Sequence, residues 1–361
     1  MKRIVLVLSF PFLLCANEYE FSLDELDAIE TKSYEYGGYI EAEHRYQEPR
    51  EDKERHYYSL ETLLNYRYFS QEFSFFVEGM GFYERVDSKE QSSLNLNEAY
   101  VNYKFDTNQQ LYAGKKSARW GKGYYFNPVA FIDRKKDPND PQRAREGYTQ
   151  LAYQYNKVLE SDLQNLTFDL VYLRTQRDLN DDLNALESDL IALKSYFLYR
   201  DIDIDLIYLY NSQGENKFGV DFSMNLQTNF ELHGEYALYD TGYSAYLLGI
   251  KYLTESELSI LSEWYEQSEM QSQNEPFWDK RYWINSFTQK EPFDFLYLSL
   301  YYKNILNASD HSMQHKIGMI YTRIENLEID LSFIQNSGKT QSEFAQKALD
   351  SFTWLELNYS F

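Results

Sequence analysis

A strict alternation of apolar and polar residues is the feature of this sequence that most constrains its fold. Within residues 217–226, one face carries Phe218, Val220, Phe222, Met224 and Leu226, and the other carries Lys217, Gly219, Asp221, Ser223 and Asn225. Because the side chains of a strand point alternately to opposite faces, this period of two predicts a strand with one apolar face. About seventeen segments between Tyr34 and Phe361 follow the same pattern. The sequence therefore predicts an all-β chain.

The length of these segments and the abundance of aromatic residues indicate a membrane barrel. Strands of about ten residues with one apolar face are typical of a transmembrane antiparallel up-and-down β-barrel of the outer-membrane type. Lipid offers no hydrogen bonds to an open sheet edge, so such a sheet must close. Tyr and Trp favour the membrane boundaries, and the chain contains 35 Tyr residues. A soluble β-sandwich or propeller also alternates, but its strands are shorter and its core contains less Tyr.

The chain length predicts a barrel of about 16 to 18 strands over residues 34–361. A barrel of this size encloses an aqueous lumen unless a plug or an inward-folded loop fills it. The expected location is the outer membrane of a Gram-negative bacterium. The expected partners there are outer-membrane lipid and lipopolysaccharide.

The two ends of the chain indicate export to that membrane. Residues 1–16 combine two cations, an apolar run and small residues, which predicts a signal peptide. A lipoprotein at Cys15 is the alternative, which the bulky Leu14 disfavours. Residues 17–33 are expected to form a periplasmic segment with a possible short helix. The last strand ends in Tyr359 and Phe361 on its apolar face, and it resembles the C-terminal strands that the barrel-assembly machinery reads in bacterial outer-membrane proteins.

A long basic loop, residues 119–147, stands out in a chain whose net charge is -22. Long loops in compact domains are usually functional or disordered, and the aromatic residues of this one argue against disorder. The candidate pore and loop residues are Lys115, Lys116, Arg119, Trp120, Lys122, Asn127, Pro128, Arg134, Lys135, Lys136, Arg143 and Arg145.

Two interpretations of these cations remain open. In the first, the loop folds into the lumen and its cations form a positive constriction that favours anions. In the second, they pair with acids of the lumen wall, for which Arg is well suited. The candidate wall acids are Asp169, Asp203, Asp221, Glu231 and Glu235, all on polar strand faces. Since selectivity is set at the constriction, the sequence alone does not decide between anions and cations.

Residues 97–147 carry a further pattern, with an EAYV strand followed by a WG and NP segment. This segment resembles the bacterial alginate-export and related porin-like barrel family. The matching residues are Glu98, Trp120, Gly121, Asn127 and Pro128, whereas Lys115 and Lys116 replace an expected Arg-Gln pair. The resemblance implies an outer-membrane channel, in the alginate exporters one with a cationic selectivity zone for an acidic polysaccharide.

The functional hypothesis is a passive channel for small or anionic solutes, without a cofactor or a metal. The alternative is a non-conducting surface barrel that acts as an adhesin or scaffold. A barrel hydrolase would need a nucleophile beside His233, which lies between two acids on a polar face. His311 and His315 have metal-ligand spacing only in a helix, and their segment leads into a strand. The acidic balance of the chain disfavours nucleic-acid binding.

Overall fold

The computed structural model describes residues 33–50, 53–143, 145–184, 186–268 and 281–361. The predicted signal peptide and residues 17–32 of the segment expected to contain a possible short helix lie outside the described residues. Among the described residues, no helix is long and apolar enough to cross a membrane.

The described residues form one antiparallel sheet of eighteen strands that closes on itself. Each strand pairs with the next along the chain, and β1 also pairs with β18, from Tyr39 opposite Ser360 to Pro49 opposite Leu349. The strands are β1 (Tyr34–Pro49), β2 (Arg55–Phe69), β3 (Phe73–Val86), β4 (Lys89–Lys104), β5 (Gln109–Lys116), β6 (Tyr148–Val158), β7 (Leu163–Thr175), β8 (Ser188–Tyr199), β9 (Ile202–Asn211), β10 (Lys217–Gln227), β11 (Phe230–Tyr239), β12 (Ser244–Leu253), β13 (Leu258–Gln267), β14 (Arg281–Lys290), β15 (Leu298–Asn307), β16 (Ser312–Tyr321), β17 (Leu327–Ser337) and β18 (Leu349–Ser360). The predicted up-and-down barrel of 16 to 18 strands is confirmed at eighteen.

The alternation of the sequence separates the outer surface of the barrel from its lumen. On β10, Phe218 is 44% exposed on the outer surface, whereas Asp221 is fully buried inside. On β18, Tyr359 and Phe361 lie on the outer surface and Glu356 faces inward. An apolar outer face around a closed sheet is the surface that a lipid bilayer requires.

The barrel has one end with long connections and one with short turns. Both chain termini of the barrel lie at the turn end, where residues 105–108, 200–201 and 228–229 connect strands. The loop end carries residues 117–147, 176–187 and 338–348, the last of which contains helix α1 (Glu343–Gln346). A short 3-10 turn, Pro292–Asp294, lies at the turn end. In outer-membrane barrels the longer loops are extracellular, which assigns the loop end to the outside.

The apolar core of the protein lies inside the lumen, near the loop end. Two clusters form it, and residues 117–147 supply side chains to both. In the first, Trp120 and Ile132 pack against inward residues of β6 to β11 such as Leu190. In the second, Phe126 stacks on Tyr265 of β13 with ring centroids 4.4 Å apart. The barrel is therefore partly filled by its own chain.

Candidate functional site

Residues 117–147, here called the inserted loop, enter the lumen between β5 and β6. The loop contacts inward side chains of β2, β9, β11, β13 and β15. Lys303 of β15, for example, donates from Nζ to the carbonyl oxygens of Pro138 and Asn139 at 2.9 and 3.0 Å. The loop thus spans the lumen from β11 and β13 to β2.

Two buried carboxylates of the barrel wall hold the inserted loop by its backbone. Glu235 of β11 accepts hydrogen bonds from the amides of Lys122 and Gly123 at 2.6 Å and of Val129 at 3.2 Å. Glu263 of β13 accepts from the amides of Tyr124 and Tyr125. Hydrogen bonds to a charged group contribute about 1.5–3 kcal/mol each. These two carboxylates are satisfied mainly by backbone amides of the loop.

Glycines make this close approach possible. Gly121 has φ of +97°, and a Cβ there would meet Glu235 Oε1 at 2.8 Å. At Gly123 a Cβ would collide with the carbonyl of Phe126. A side chain at either position would separate the loop from its acceptor.

Gly121→Ala is therefore expected to weaken the seating of the loop by about 1–3 kcal/mol, because the backbone is left-handed and the space is filled. Limited trypsin digestion of the purified barrel measures this, since the loop is rich in Lys and Arg. We expect cleavage within 117–147 to accelerate. Gly242→Ala is the control, because Gly242 shares the left-handed backbone, with φ of +89°, but lies outside the loop and a Cβ there meets nothing within 4 Å; we expect it to give the parental rate of loop cleavage. Equal rates for the two variants would contradict the role of Gly121.

Asp133 organises the first half of the inserted loop. Its carboxylate accepts hydrogen bonds from Ser117 Oγ and the amides of Ala118 and Trp120, at 3.0, 2.9 and 2.8 Å. The Trp120 side chain is 6% exposed in the first apolar cluster. Trp120 is consequently a packing residue of the loop.

The predicted cations are distributed over several places. Lys122 reaches Asp205 of β9, with Nζ 3.4 Å from Oδ2, and Lys194 of β8 lies 3.2 Å from the same oxygen. Asp221 stands directly opposite Asp205 on one side and Glu235 on the other. Charges on this wall are therefore largely enclosed under the loop.

A second group of cations lies around Glu146 and Arg134. Arg134 pairs with Asp182 and Glu146, and Lys115 also pairs with Glu146. Arg145 donates to the Arg134 carbonyl at 2.7 Å. These cations are engaged with acids and carbonyls of the loop end. Two further predicted cations lie near β4 and β5: Lys116 lies over the ring of Tyr112 on β5, and Arg119 Nη2 is 3.9 Å from Glu98 of β4.

A cavity of about 470 Å³ at the loop end collects Asn127, Pro128, Arg134, Lys135 and Lys136 among its lining residues. The Asn127 side chain accepts from the amide of Lys136 at 3.0 Å and donates to the Arg134 carbonyl at 3.1 Å. Lys136 Nζ donates to the Gly123 carbonyl, and burial lowers the pKa of Lys136. The residues of the NP segment therefore fix the fold of the loop.

A second cavity, of about 1070 Å³, lies on the opposite side of the inserted loop. We call it the main cavity. Strands β1 to β3 and β16 to β18 form its wall, and the loop residues Asp137 to Arg143 and the α1 segment cover it. Its charged lining residues are Glu41, Glu43, Arg45, Glu61, Glu84, Asp137, Asp140, Arg143, Lys316, Glu343 and Lys347.

Of the predicted loop cations, the main cavity contains Arg143. Its guanidinium donates to Glu61 of β2 and lies 5.6 Å from the Phe82 ring. Tyr39 Oη also donates to Glu61, at 2.6 Å. Burial raises the pKa of the neighbouring Asp140, which Arg143 counteracts. The ion pair of Arg143 and Glu61 ties the loop to the wall across the lumen.

The predicted wall acids all lie on inward faces, but in different surroundings. Asp169 accepts from Gln154 at 2.7 Å, Asp203 accepts from Tyr196, and Glu231 accepts from Tyr124 Oη at 3.0 Å. None of the five candidate acids lines the main cavity. The acids that do, such as Glu41, Glu43 and Glu61, were not predicted, although Glu41 and Glu43 alternate with other residues along β1 and Glu61 follows on β2.

His233 is a fully buried member of the wall. Its Nε2 lies 2.9 Å from Glu263 Oε1, and its Nδ1 lies 3.3 Å from Glu231 Oε1. Among the described residues, its side-chain hydrogen bonding and ion pairing involve carboxylates and no Ser, Thr or Cys nucleophile. This geometry offers no support for the hydrolase hypothesis.

No protein-family model matches this chain, and no curated protein matches it either. Solved outer-membrane barrels do match. OccK5 (OpdH) of Pseudomonas aeruginosa has a TM-score of 0.60 at 12% identity and covers 91% of this chain and 98% of its own. OccAB4 of Acinetobacter baumannii has a TM-score of 0.60 at 12% sequence identity, and the match covers 92% of this chain and 99% of OccAB4.

Wzi of Escherichia coli also matches, with a TM-score of 0.60 at 12% sequence identity, over 94% of this chain and 87% of Wzi. Wzi is an outer-membrane protein involved in group 1 capsule assembly and a carbohydrate-binding β-barrel. The expected outer-membrane location agrees with these neighbours. The specific resemblance to alginate exporters is not confirmed and stays a hypothesis. The chain has the closed eighteen-stranded fold of porin-like outer-membrane β-barrels.

Proposed function

We propose that this protein is an outer-membrane channel for small solutes and that solutes pass through the main cavity. The observation that carries the proposal is the position of the inserted loop. Its backbone is held against β11 and β13, and it leaves a space of about 1070 Å³ in the lumen beside β1 to β3 and β16 to β18. The eighteen-stranded fold shared with porin-like barrels supports the same proposal.

The lining charges favour cations over anions. Seven carboxylates line the main cavity against four cations. Arg143 pairs with Glu61 and Arg45 with Glu43, and Lys316 contacts Asp330 at 3.6 Å, so these cations are balanced by acids and the unpaired excess of the lining is negative. Charged side chains at a narrow passage set ion preference. We therefore propose preference for small cations, in place of the anion preference that the basic loop suggested.

Reconstitution in a planar bilayer under a salt gradient tests this proposal. We expect a steady conductance whose reversal potential is shifted toward the equilibrium potential of the cation. Neutralising two lining acids, by Glu41→Gln with Glu84→Gln, is expected to move the reversal potential toward zero by about half. Anion preference in the unaltered protein would overturn the proposed selectivity.

A non-conducting barrel that binds carbohydrate is the second candidate. It is favoured by the loop's attachment on opposite walls, which reduces the lumen, and by the fold shared with Wzi. Absence of current from correctly folded protein in the same bilayer experiment would favour this candidate.

A further inference from the structure

Two histidines of neighbouring strands meet on the outer surface of the barrel. His44 of β1 and His56 of β2, here called the histidine pair, bring Nε2 and Nδ1 to a distance of 3.0 Å. Their chain neighbours Glu43, Arg45 and Tyr57 line the main cavity. Because side chains alternate between the two faces of a strand, the histidine pair lies on the outer face. It therefore belongs to neither of the two lumen cavities described above.

The histidine pair lies where the outer face changes from apolar to charged. On the same two strands, the outward residues Ile40 and Leu60 lie closer to the turn end and are 41% and 46% exposed. Toward the loop end, Glu48 and Glu54 are exposed. One member of the pair is exposed and the other is half-buried. An ion in the external water can therefore reach the pair without crossing lipid.

Two tyrosines hold the imidazole rings in place. In the sheet, His44 stands opposite Tyr58, and His56 stands opposite Tyr46. The ring centroids of the first couple are 4.8 Å apart, and those of the second are 5.5 Å apart. The two imidazole planes lie within 14° of parallel. Side chains that are already packed lose little conformational freedom when they bind a ligand, so the pair is preorganised.

The separation of the two nitrogens matches that of neighbouring ligands around a tetragonal metal ion. With metal–nitrogen bonds of about 2.0–2.1 Å, a separation of 3.0 Å corresponds to a nitrogen–metal–nitrogen angle of about 91–97°. Tetragonal coordination by nitrogen and oxygen is typical of Cu²⁺ and Ni²⁺, whereas Zn²⁺ prefers the wider tetrahedral angle. The geometry of the pair therefore favours Cu²⁺ or Ni²⁺.

The protons of the two rings allow this binding. In the contact as it stands, one imidazole donates its N–H to the nitrogen of the other. A neutral imidazole can carry its proton on either nitrogen. When that proton moves to the far nitrogen of its own ring, both facing nitrogens offer a lone pair. A small rotation of each ring then directs both lone pairs to the ion, and the neutral pair neither gains nor loses a proton.

The charges beside the histidine pair favour a cation. Tyr46, which packs on His56, hydrogen-bonds through its hydroxyl to Glu54, and Glu48 acts electrostatically on the same hydroxyl. Two carboxylates thus lie on the loop-end side of the pair. Negative charge of this kind raises the local concentration of cations and repels anions.

We propose that the histidine pair is a surface site for a divalent transition metal and that it binds Cu²⁺ more tightly than Zn²⁺. Imidazole is a ligand that suits both metals, so the angle between the two nitrogens sets the preference. Water fills the remaining positions around the ion. The site lies outside the lumen and does not depend on the proposed channel function.

Calorimetric titration of the purified full-length barrel in detergent, with Cu²⁺ and separately with Zn²⁺, tests the proposal. We expect His44→Gln and His56→Gln each to lower the Cu²⁺ affinity at least roughly tenfold, since the loss of even an outer-shell partner costs about 10–100-fold. Electron paramagnetic resonance of the Cu²⁺ complex should show coupling to two imidazole nitrogens in the parent and to at most one in either variant.

His315→Gln is the matched control. His315 of β16 also lies on the outer face, since Gln314 and Lys316 line the main cavity. Its Nδ1 contacts Tyr302 Oη at 2.8 Å instead of a second imidazole, so we expect the parental Cu²⁺ affinity. Binding of Cu²⁺ to the amino terminus or to acids is common to all these proteins and cancels in the comparison.

Three results would overturn the proposal. They are an unchanged Cu²⁺ affinity in both pair variants, an equal loss in His315→Gln, and Zn²⁺ bound by the parent as tightly as Cu²⁺. Heat-dependent migration on a detergent gel verifies that each variant barrel is closed. If His44→Gln does not assemble, His56→Gln changes an exposed side chain and gives the same test.

Discussion

Replacing Glu235 and Glu263 together by glutamine is expected to release the inserted loop and to raise the single-channel conductance several-fold. The two carboxylates accept five backbone hydrogen bonds from residues 122–129. A glutamine offers one oxygen, and its NH2 group faces the loop amides that donate. Losing charge-assisted bonds worth about 1.5–3 kcal/mol each should free the loop from this wall.

The conductance of the double variant in planar bilayers and its trypsin sensitivity measure this effect. The matched control is Asp203→Asn with Glu328→Gln, which neutralises two inward acids that do not bind the loop backbone. We expect the control to retain the parental conductance and the parental digestion pattern. A double variant with unchanged conductance and an uncut loop would contradict the assignment of these carboxylates as the loop's main attachment.

Arg143→Ala is expected to produce the second large effect, a conductance increase of about twofold together with stronger cation preference. The variant breaks the ion pair with Glu61 that ties the loop to β2, and it removes a positive charge from the main cavity. Glu61 remains held by Tyr39. Bilayer recordings under a salt gradient measure both quantities at once.

Arg145→Ala supplies the control for Arg143→Ala, because the Arg145 side chain donates to the Arg134 carbonyl within the loop. It removes the same charge from the loop without breaking contact with the wall. A similar rise in conductance for both variants would show that loop charge, and not the attachment to β2, limits the current.

The barrel was predictable because its strands follow a single physical rule. A lipid-facing side chain must be apolar, and the residues before and after it in the strand face the lumen. The spacing along the sequence therefore assigns Phe218 to the outer face and Asp221 to the inner face. The number of strands followed from length. The last strand, with Tyr359 outside and Glu356 inside, obeys the same rule.

The filled lumen was not predicted, although β9 carries a signal of it. After Asp205 the inward residues become Ile207 and Leu209, each 1% exposed, so both faces of the strand are apolar toward the loop end. When both faces of this part of β9 are apolar, the inward side chains must pack against other apolar side chains inside the barrel. The inserted loop, with Trp120 and Ile132, supplies it.

The arrangement of charges was the least accessible from sequence. Cations such as Lys122 and Arg143 lie close in the chain but meet strands far apart, β9 and β2, once the sheet closes. Glu235 and Glu263 accept hydrogen bonds from backbone amides. Because every residue except proline has such an amide, the sequence does not indicate which ones these acids bind. The interpretation of the cations as wall partners agrees with the ion pairs of Lys122 and Arg143. Among the described residues, the cations of residues 119–147 are divided between different parts of the lumen and do not line one shared constriction.

Site-specific modification of the two cavities tests most directly whether solutes pass through the main cavity. Cys15, the only cysteine of the sequence, lies in the predicted signal peptide, so single cysteines can be introduced without background. Glu84→Cys lies in the main cavity and Lys135→Cys in the cavity on the other side of the inserted loop. A bulky thiol reagent is expected to block most of the current through the first variant and little through the second. Block of Lys135→Cys with an unaffected Glu84→Cys would contradict the proposed route.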